Sequence, residues 1–392
     1  MKALRKFATI GLVSVVSAFS GFAEDKPKQI CVSEAFTARS DFQAGRINGC
    51  EFTNENTVRI EIKPEDKAVT NPSPWYSFRI EPHSTDPISI ELVYRNAKHR
   101  YWPKISQDSI NWHPLKVGAV NQLNDHVLRI SLPAIDEPIY ISGQEVLTDA
   151  AHQQWLDELA STSGTSKTLL GKSMAGRDIY KLETAPENGS GNYIFLVGRQ
   201  HPPEVTGALA LMPFAEAIYA DTPLAKAFRK KFGVIIVPIL NPDGVANGHW
   251  RHNMGEKDLN RDWGPFTQPE TQLMRDELER FKEEETLSLF LDFHSTRRNV
   301  LYTQAEDEET KPRGYTKSWV ERVKGRVSNY TFERAERPLT SLPTSKNYVY
   351  STFGVPAITY EVGDETDRQA LKIAATVFAE EMMEVLLNGN KD

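Results

Sequence analysis

Asn192-Tyr-Ile-Phe-Leu-Val-Gly198, continuing into Arg199-Gln-His-Pro-Pro-Glu204, is the stretch whose reading decides this chain. Tyr193 to Val197 is an unbroken apolar run, β-branched and aromatic in part and too short for a helix, so it predicts a buried strand. Gly198 closes the run, and His201 and Glu204 follow three positions apart. Both are good zinc ligands, and a turn just past a strand can aim both at one point. A His-x-x-Glu pair is too short to carry an assignment alone. Its meaning depends on a third ligand and a base elsewhere.

Two later apolar runs end on suitable residues. Residues 288–293 lead into His294, and residues 357–360 lead into Glu361. Between these segments, Leu209, Leu211, Phe214 and Ile218 predict a helix. Residues 234–240 predict another strand, which ends at Asn241-Pro-Asp-Gly244, a turn signal. A helix with a charged, solvated face is expected over 269–285, and an amphipathic helix over 367–387. Strand–helix alternation predicts an α/β domain, and in open sheets of that class ligands bind beyond the carboxyl ends of the strands. His201, Glu204, His294 and Glu361 are all expected just past such ends. Gly171-Lys-Ser173 invites a phosphate-loop reading, but Ser166 stands where that loop needs its first glycine, and nucleotide binding is rejected.

Two histidines and a carboxylate make a three-ligand zinc set that leaves a fourth position for water. With no cysteine nearby, the open, catalytic form is favoured over a closed structural one. Such an ion lowers the pKa of its water towards ~7 and polarises a carbonyl, which suits amide hydrolysis. Glu361 is the candidate to take the proton and deliver it to the leaving amine. Arg251 can face the oxyanion, and Asn260 with Arg261 can clamp a substrate carboxylate, the guanidinium bidentately. Asp258 can accept a hydrogen bond from a ligand imidazole.

Together, His201-Pro-Pro-Glu204, Asn241-Pro-Asp-Gly244, Arg251, Asp258-Leu-Asn-Arg261, Leu291-Asp-Phe-His-Ser295 and Thr359-Tyr-Glu361 resemble the zinc metallocarboxypeptidases of the carboxypeptidase A type. The interval from Arg251 to Asn260 and the β-rich region in front look more like the cytosolic, deglutamylating branch and its bacterial relatives. The resemblance is firm over about residues 150–390 and loose in front. It implies a mixed-sheet α/β/α catalytic domain and one Zn2+ per chain bound by His201, Glu204 and His294. It also implies Glu361 as general base, Arg251 on the scissile carbonyl, and Asn260 with Arg261 on the free C-terminal carboxylate of a peptide substrate.

Two departures stand out. Digestive members carry a capping Tyr about twenty residues before the base, where this chain has Pro338-Leu-Thr-Ser341, and a Tyr after the His-Ser pair, where it has Thr296. Either carboxylate capture is weaker or the substrate differs; Tyr348 and Tyr350 read as core packing. Counting back from Glu361, Lys346 falls where the family selects the terminal side chain. A cation there favours an acidic residue such as Glu, and Arg297 and Arg298 would add positive potential.

The front of the chain reads differently. Lys2, Arg5 and Lys6, an apolar middle and Gly21-Phe-Ala23 predict a secretory signal peptide over residues 1–23, hence a periplasmic or secreted protein. That apolar run falls short of the ~20 residues needed to span a bilayer, and no later stretch is long and apolar enough. Cys31 and Cys50, the only cysteines, read as a disulfide in an oxidising compartment. Residues 24–148 predict a small antiparallel β-sandwich, with strands over 57–62, 75–80, 88–94, 127–132 and 139–142. Trp75 and Tyr76 read as packing rather than sugar stacking. A helix over 147–160 opens the catalytic domain, set at 149–392. The chain's 392 residues suit two domains, and its net charge of −7 argues against a nucleic-acid partner.

The leading expectation is a secreted zinc carboxypeptidase, with acidic C-terminal residues preferred. Competing readings keep the site but change the substrate, to γ-linked cell-wall stem peptides or N-acyl amino acids. From another class, the chain could be a non-catalytic peptide- or glycan-binding protein on a peptidase scaffold.

Overall fold

The computed structural model describes residues 29–67, 70–283 and 285–389. The expected signal peptide lies outside them.

Among the described residues, eleven short strands build the front domain as two sheets. One runs in the order Ile30–Val32, Phe36–Arg39, Ser77–Pro82, Ile139–Ser142, Lys104–Ser106, His113–Pro114. The other runs Gly49–Asn54, Thr57–Ile62, Ile88–Tyr94, Val127–Leu132, Val120–Asn124. Alternation explains the packing: Phe78, Ile80 and Ile141 from the first sheet and Ile60, Ile90 and Ile130 from the second turn inward into one buried core. Every ladder is antiparallel except Thr57–Ile62 against Ile88–Tyr94, which is parallel. Cys31 and Cys50 are joined, and their disulfide ties the edge strand of one sheet to the edge strand of the other. Closing a loop of this length stabilises the fold by about 3 kcal/mol in the chain-entropy account. Trp75 and Tyr76 are buried in this core, and the Trp75 indole N–H donates to the Ala44 carbonyl.

The helix Asp149–Ser163 follows, capped by the Thr148 hydroxyl, which accepts from the Ala151 N–H; it ends at Gly164 with φ 71°. Beyond it lies an eight-stranded mixed sheet. Its order is Lys167–Lys172, Asp178–Thr184, Phe232–Val237, Asn192–Gly198, Thr286–Thr296, Ala357–Gly363, Val300–Thr303, Glu333–Glu336. The four central strands are mutually parallel. Helices Val205–Tyr219, Tyr315–Arg326 and Arg368–Asn388 cover one face. Pro269–Glu279 and Ser345–Phe353 pack on the other, giving three layers.

Three expectations are corrected. Asn241-Pro-Asp-Gly244 is no free turn: Asn241 caps the short helix Pro242–Asn247 by accepting from the Gly244 N–H, with Pro242 at the first helical position. The helix expected over 269–285 ends at Glu279 and tightens into a 3₁₀ turn over Arg280–Lys282. His294 and Glu361 lie inside their strands rather than past them. The parallel ladder continues beyond the apolar residues and pairs His294 with Glu361 directly, because backbone hydrogen bonding does not stop where side-chain hydrophobicity does.

The two halves also share a core. Trp250 and Val205, both from the catalytic half, pack into the sandwich interior. Among the described residues, no helix is long and apolar enough to cross a membrane.

Candidate active site

The strand Asn192–Gly198 delivers the chain to a tight segment before the helix Val205–Tyr219. Arg199 sits at φ 51°, an unfavourable region for a non-glycine residue, and its buried guanidinium donates back to the Pro202 carbonyl at 2.6 Å and to Leu147 at 3.3 Å. Pro202 and Pro203 restrict the turn further. His201 and Glu204 are thereby directed into the molecule, both buried. The first turn of the helix then meets the neighbouring strand backbone at Gly207. A Cβ there would stand 2.6 Å from the His294 carbonyl oxygen, so the helix can approach His294 this closely only with glycine at that position.

His201, Glu204 and His294 offer ligand atoms all within 4.8 Å of one another. The Glu204 carboxylate lies between the two imidazoles: Oε1 is 2.8 Å from His201 Nδ1 and Oε2 is 2.7 Å from His294 Nδ1. Each far ring nitrogen faces a different carboxylate, His201 Nε2 reaching Asp258 Oδ1 at 2.9 Å and His294 Nε2 reaching Asp292 Oδ2 at 2.8 Å. Carboxylates on both Nε2 atoms fix the ring orientations and aim both Nδ1 atoms inward at Glu204, the orientation of zinc-ligating histidines. The donor set therefore fits a zinc ion. Burial raises the pKa of Glu204, but the two imidazoles outweigh it and hold the carboxylate ionised.

Glu361 lines the same cavity as the trio. Its Oε2 is shut off from solvent with no hydrogen-bond partner among the described residues. Burial first, then the Glu204 charge, pushes its pKa up to about 7. Arg251 Nε donates to Asp258 Oδ2 at 2.7 Å, so one carboxylate orients both an imidazole and a guanidinium. Burial works against ionisation of Asp258; the neighbouring His201, Arg251 and Arg261 outweigh it and hold its pKa well below the usual range.

Asn260 is buried, and its Oδ1 accepts from the Ser345 N–H at 2.9 Å. Its Nδ2 lies 3.3 Å from His294 Nε2. That nitrogen donates to Asp292 and cannot also accept, so the Asn260 N–H groups remain available to another acceptor. Arg261 lines the cavity and donates to the Asn260 carbonyl at 2.7 Å. Lys346 is also in the cavity wall, its Nζ donating to the Arg337 carbonyl at 2.7 Å. Arg297 reaches the cavity, but Arg298 does not: it is exposed and pairs with Glu333 at 2.8 Å. Tyr348 packs edge-on against Phe266, and the Tyr350 hydroxyl donates to the Glu309 carbonyl.

Sequence reasoning passed over Asp292. The available signal is a lone carboxylate in an apolar strand, two residues before His294 and hence on the same face. It is fully buried, takes a 2.6 Å bond from Gln200 and a short one from the Ser345 hydroxyl, and so anchors His294 to two further segments. Arg337 also went unread. Its guanidinium stacks 5.1 Å from the Tyr302 ring centroid at the end of the cavity that holds Lys346.

A model of the zinc carboxypeptidase family matches residues 152–384. The chain belongs to that family. A second model, the cytosolic carboxypeptidase N-terminal domain, matches residues 38–142 of this zinc carboxypeptidase family member. Human cytosolic carboxypeptidase 2 is 31% identical over 141 residues, 33% of this chain and 16% of that protein. An uncharacterized protein of Zymomonas mobilis is 25% identical over 235 residues, 58% of this chain and 59% of that one. The chain thus spans only part of these relatives. Among solved structures, a metallo-carboxypeptidase from Burkholderia cenocepacia has a TM-score of 0.76 at 18% identity, covering 90% of this chain and 98% of its own. One from Pseudomonas aeruginosa, in complex with (2-guanidinoethylmercapto)succinic acid, has a TM-score of 0.74 at 19% identity, covering 89% and 98%. At these identities the structural likeness speaks for the fold.

Proposed function

We propose that this chain is a zinc-dependent carboxypeptidase that removes acidic residues from peptide C-termini outside the cytoplasm. The observation that carries the reading is the unpartnered Oε2 of Glu361 in the same cavity as a His–Glu–His trio whose outer nitrogens are already held by carboxylates. His201, Glu204 and His294 would hold a zinc ion, which would supply Lewis-acid chemistry. Glu361 takes a proton and returns it to the departing amine, a role suited to a carboxyl with its pKa raised towards neutrality. Arg251, steadied by Asp258, faces the oxygen on which charge develops. Arg261 and the free N–H groups of Asn260 bind the terminal carboxylate.

The acid preference rests on charge. The cavity measures about 830 Å³; of the Lys and Arg side chains that line it, Lys98, Arg100 and Arg251 already pair with Asp125, Asp364 and Asp258, whereas Arg261, Arg297, Arg337 and Lys346 make no ion pair among the described residues, in a chain whose net charge is −7. Lys346 and Arg337 meet at one end, neither making an ion pair among the described residues. Export is supported by the Cys31–Cys50 disulfide, a bond favoured in oxidising compartments. The test is incubation of the zinc-loaded protein with peptides varied at the last residue, read by mass spectrometry. Loss of a single C-terminal Glu or Asp is expected, abolished by chelation; equal release of Lys-ended peptides would remove the acid preference, and no release at all would remove the activity.

A further inference from the structure

The loop that carries Arg251 is built on the other domain. Trp250, Arg251 and His252 present three successive backbone N–H groups, and all three donate to one side chain, the carboxylate of Glu65 in the β-sandwich domain. The Trp250 N–H reaches Oε2 at 2.7 Å; those of Arg251 and His252 reach Oε1 at 2.9 and 2.6 Å. Successive N–H groups arranged in this way form an anion-binding concavity, and here the anion comes from 185 residues earlier in the chain. Asp66, next in sequence, holds the His252 ring through Nδ1 at 2.6 Å. Glu65, Asp66 and His252 come close enough to suggest a second cation site, but these bonds already account for the Glu65 oxygens and the His252 Nδ1.

The rest of the loop is equally committed. The Trp250 indole is buried in the sandwich core and donates to the Trp75 carbonyl at 3.2 Å. The Ala44 N–H donates to the Ala246 carbonyl, and Arg46 to the carbonyl of Asn247. Among the described residues of the catalytic half, the Arg251 side chain has one hydrogen-bonded anchor, its Nε bond to Asp258. The catalytic domain fixes the tip of this arginine, and the front domain fixes its backbone.

We propose that Glu65 is a positioning residue for catalysis: the β-sandwich domain sets the place of Arg251, so that half of the oxyanion machinery belongs to the front domain. The inference rests on the proposed hydrolysis, in which Arg251 meets the developing charge. An oxyanion donor acts only when it stands ready where charge appears, so loosening its backbone lowers turnover more than substrate binding.

The experiment compares wild type, E65Q and E65A as zinc-loaded full chains on one peptide substrate. Glutamine keeps one accepting oxygen and loses the charge. E65A is expected to lower kcat about tenfold or more with KM changed less than about threefold, and E65Q to fall between. In an R251A background, E65A should slow turnover by less than about twofold, because it acts through a side chain that is gone. Hydrogen exchange supplies a readout independent of activity: amides of residues 250–252 should exchange faster in E65Q, with those of the strand Asn192–Gly198 unchanged. Wild-type turnover in a folded E65Q with wild-type exchange overturns the proposal, as does an equal loss with and without Arg251. If wild type cleaves no peptide bond, the proposed function fails instead, and the exchange data still decide whether Glu65 holds the loop.

Discussion

The two ends of the one cavity are built on opposite rules. At the metal end, imidazoles, carboxylates and the Arg251 guanidinium are bonded to one another: His201 to Glu204 and Asp258, His294 to Glu204 and Asp292, Arg251 to Asp258. At the far end, Arg337 and Lys346 face the same space with no ion pair among the described residues. Lys346 is buried, and a buried charge without a counter-charge is costly, so such a group is a candidate for meeting a ligand. The difference teaches that the metal end is organised by its own bonds, whereas the far end leaves its cations open to an anion, as the proposed acid preference requires.

Changes at the two ends should therefore fail differently. The largest effect is expected from Glu361→Gln, which should lower kcat about 10³-fold while zinc content stays at one per chain; retained turnover would take the base away from Glu361. The same variant tests its environment without metal. Because burial and Glu204 raise the folded-state pKa from 4.5 to about 7, the metal-free wild type holds its proton more tightly folded than unfolded. It should thus lose stability relative to the Gln variant as pH rises from about 4.5 through about 7, seen in denaturant titrations at several pH values. Next, Asp258→Asn should weaken zinc binding by about 10–100-fold in a competitive chelator titration, since a neutral amide no longer holds the His201 Nε2 proton as firmly. An unchanged affinity would mean that the metal end is not preorganised through its outer carboxylates. The smallest effect belongs to the far end. Lys346→Asp should shift the ratio of kcat/KM for Glu-ended over Lys-ended peptides by about tenfold towards Lys, with zinc affinity untouched. An unmoved ratio would leave that end without a role in selection.

Legibility followed distance along the chain. Strands Thr57–Ile62, Ile88–Tyr94 and Val127–Leu132 match the residues marked by alternation and Ile139–Ser142 matches a short apolar run, whereas the strand expected over 75–80 runs over Ser77–Pro82. Ile30–Val32, Phe36–Arg39 and Lys104–Ser106 are too short to show a period, and sheet neighbours create them. The Asn241-Pro pair carried a helix-start signal that the following Asp-Gly concealed. Asp292 was visible as a carboxylate in an apolar strand, whereas Arg337 and Glu65 had no local mark.

By itself, the sequence determined that four metal-suited side chains follow apolar strand runs, although it set His294 and Glu361 past strands that in fact contain them, because strand, turn and residue type are written within a few positions of each other. Only the tertiary structure decided which nitrogen of each histidine faces inward, that His294 and Glu361 are cross-strand neighbours, and that a glutamate from the other domain holds the Arg251 loop. Those facts depend on contacts between segments 57 to 187 residues apart, or on strand register, and no local pattern records either.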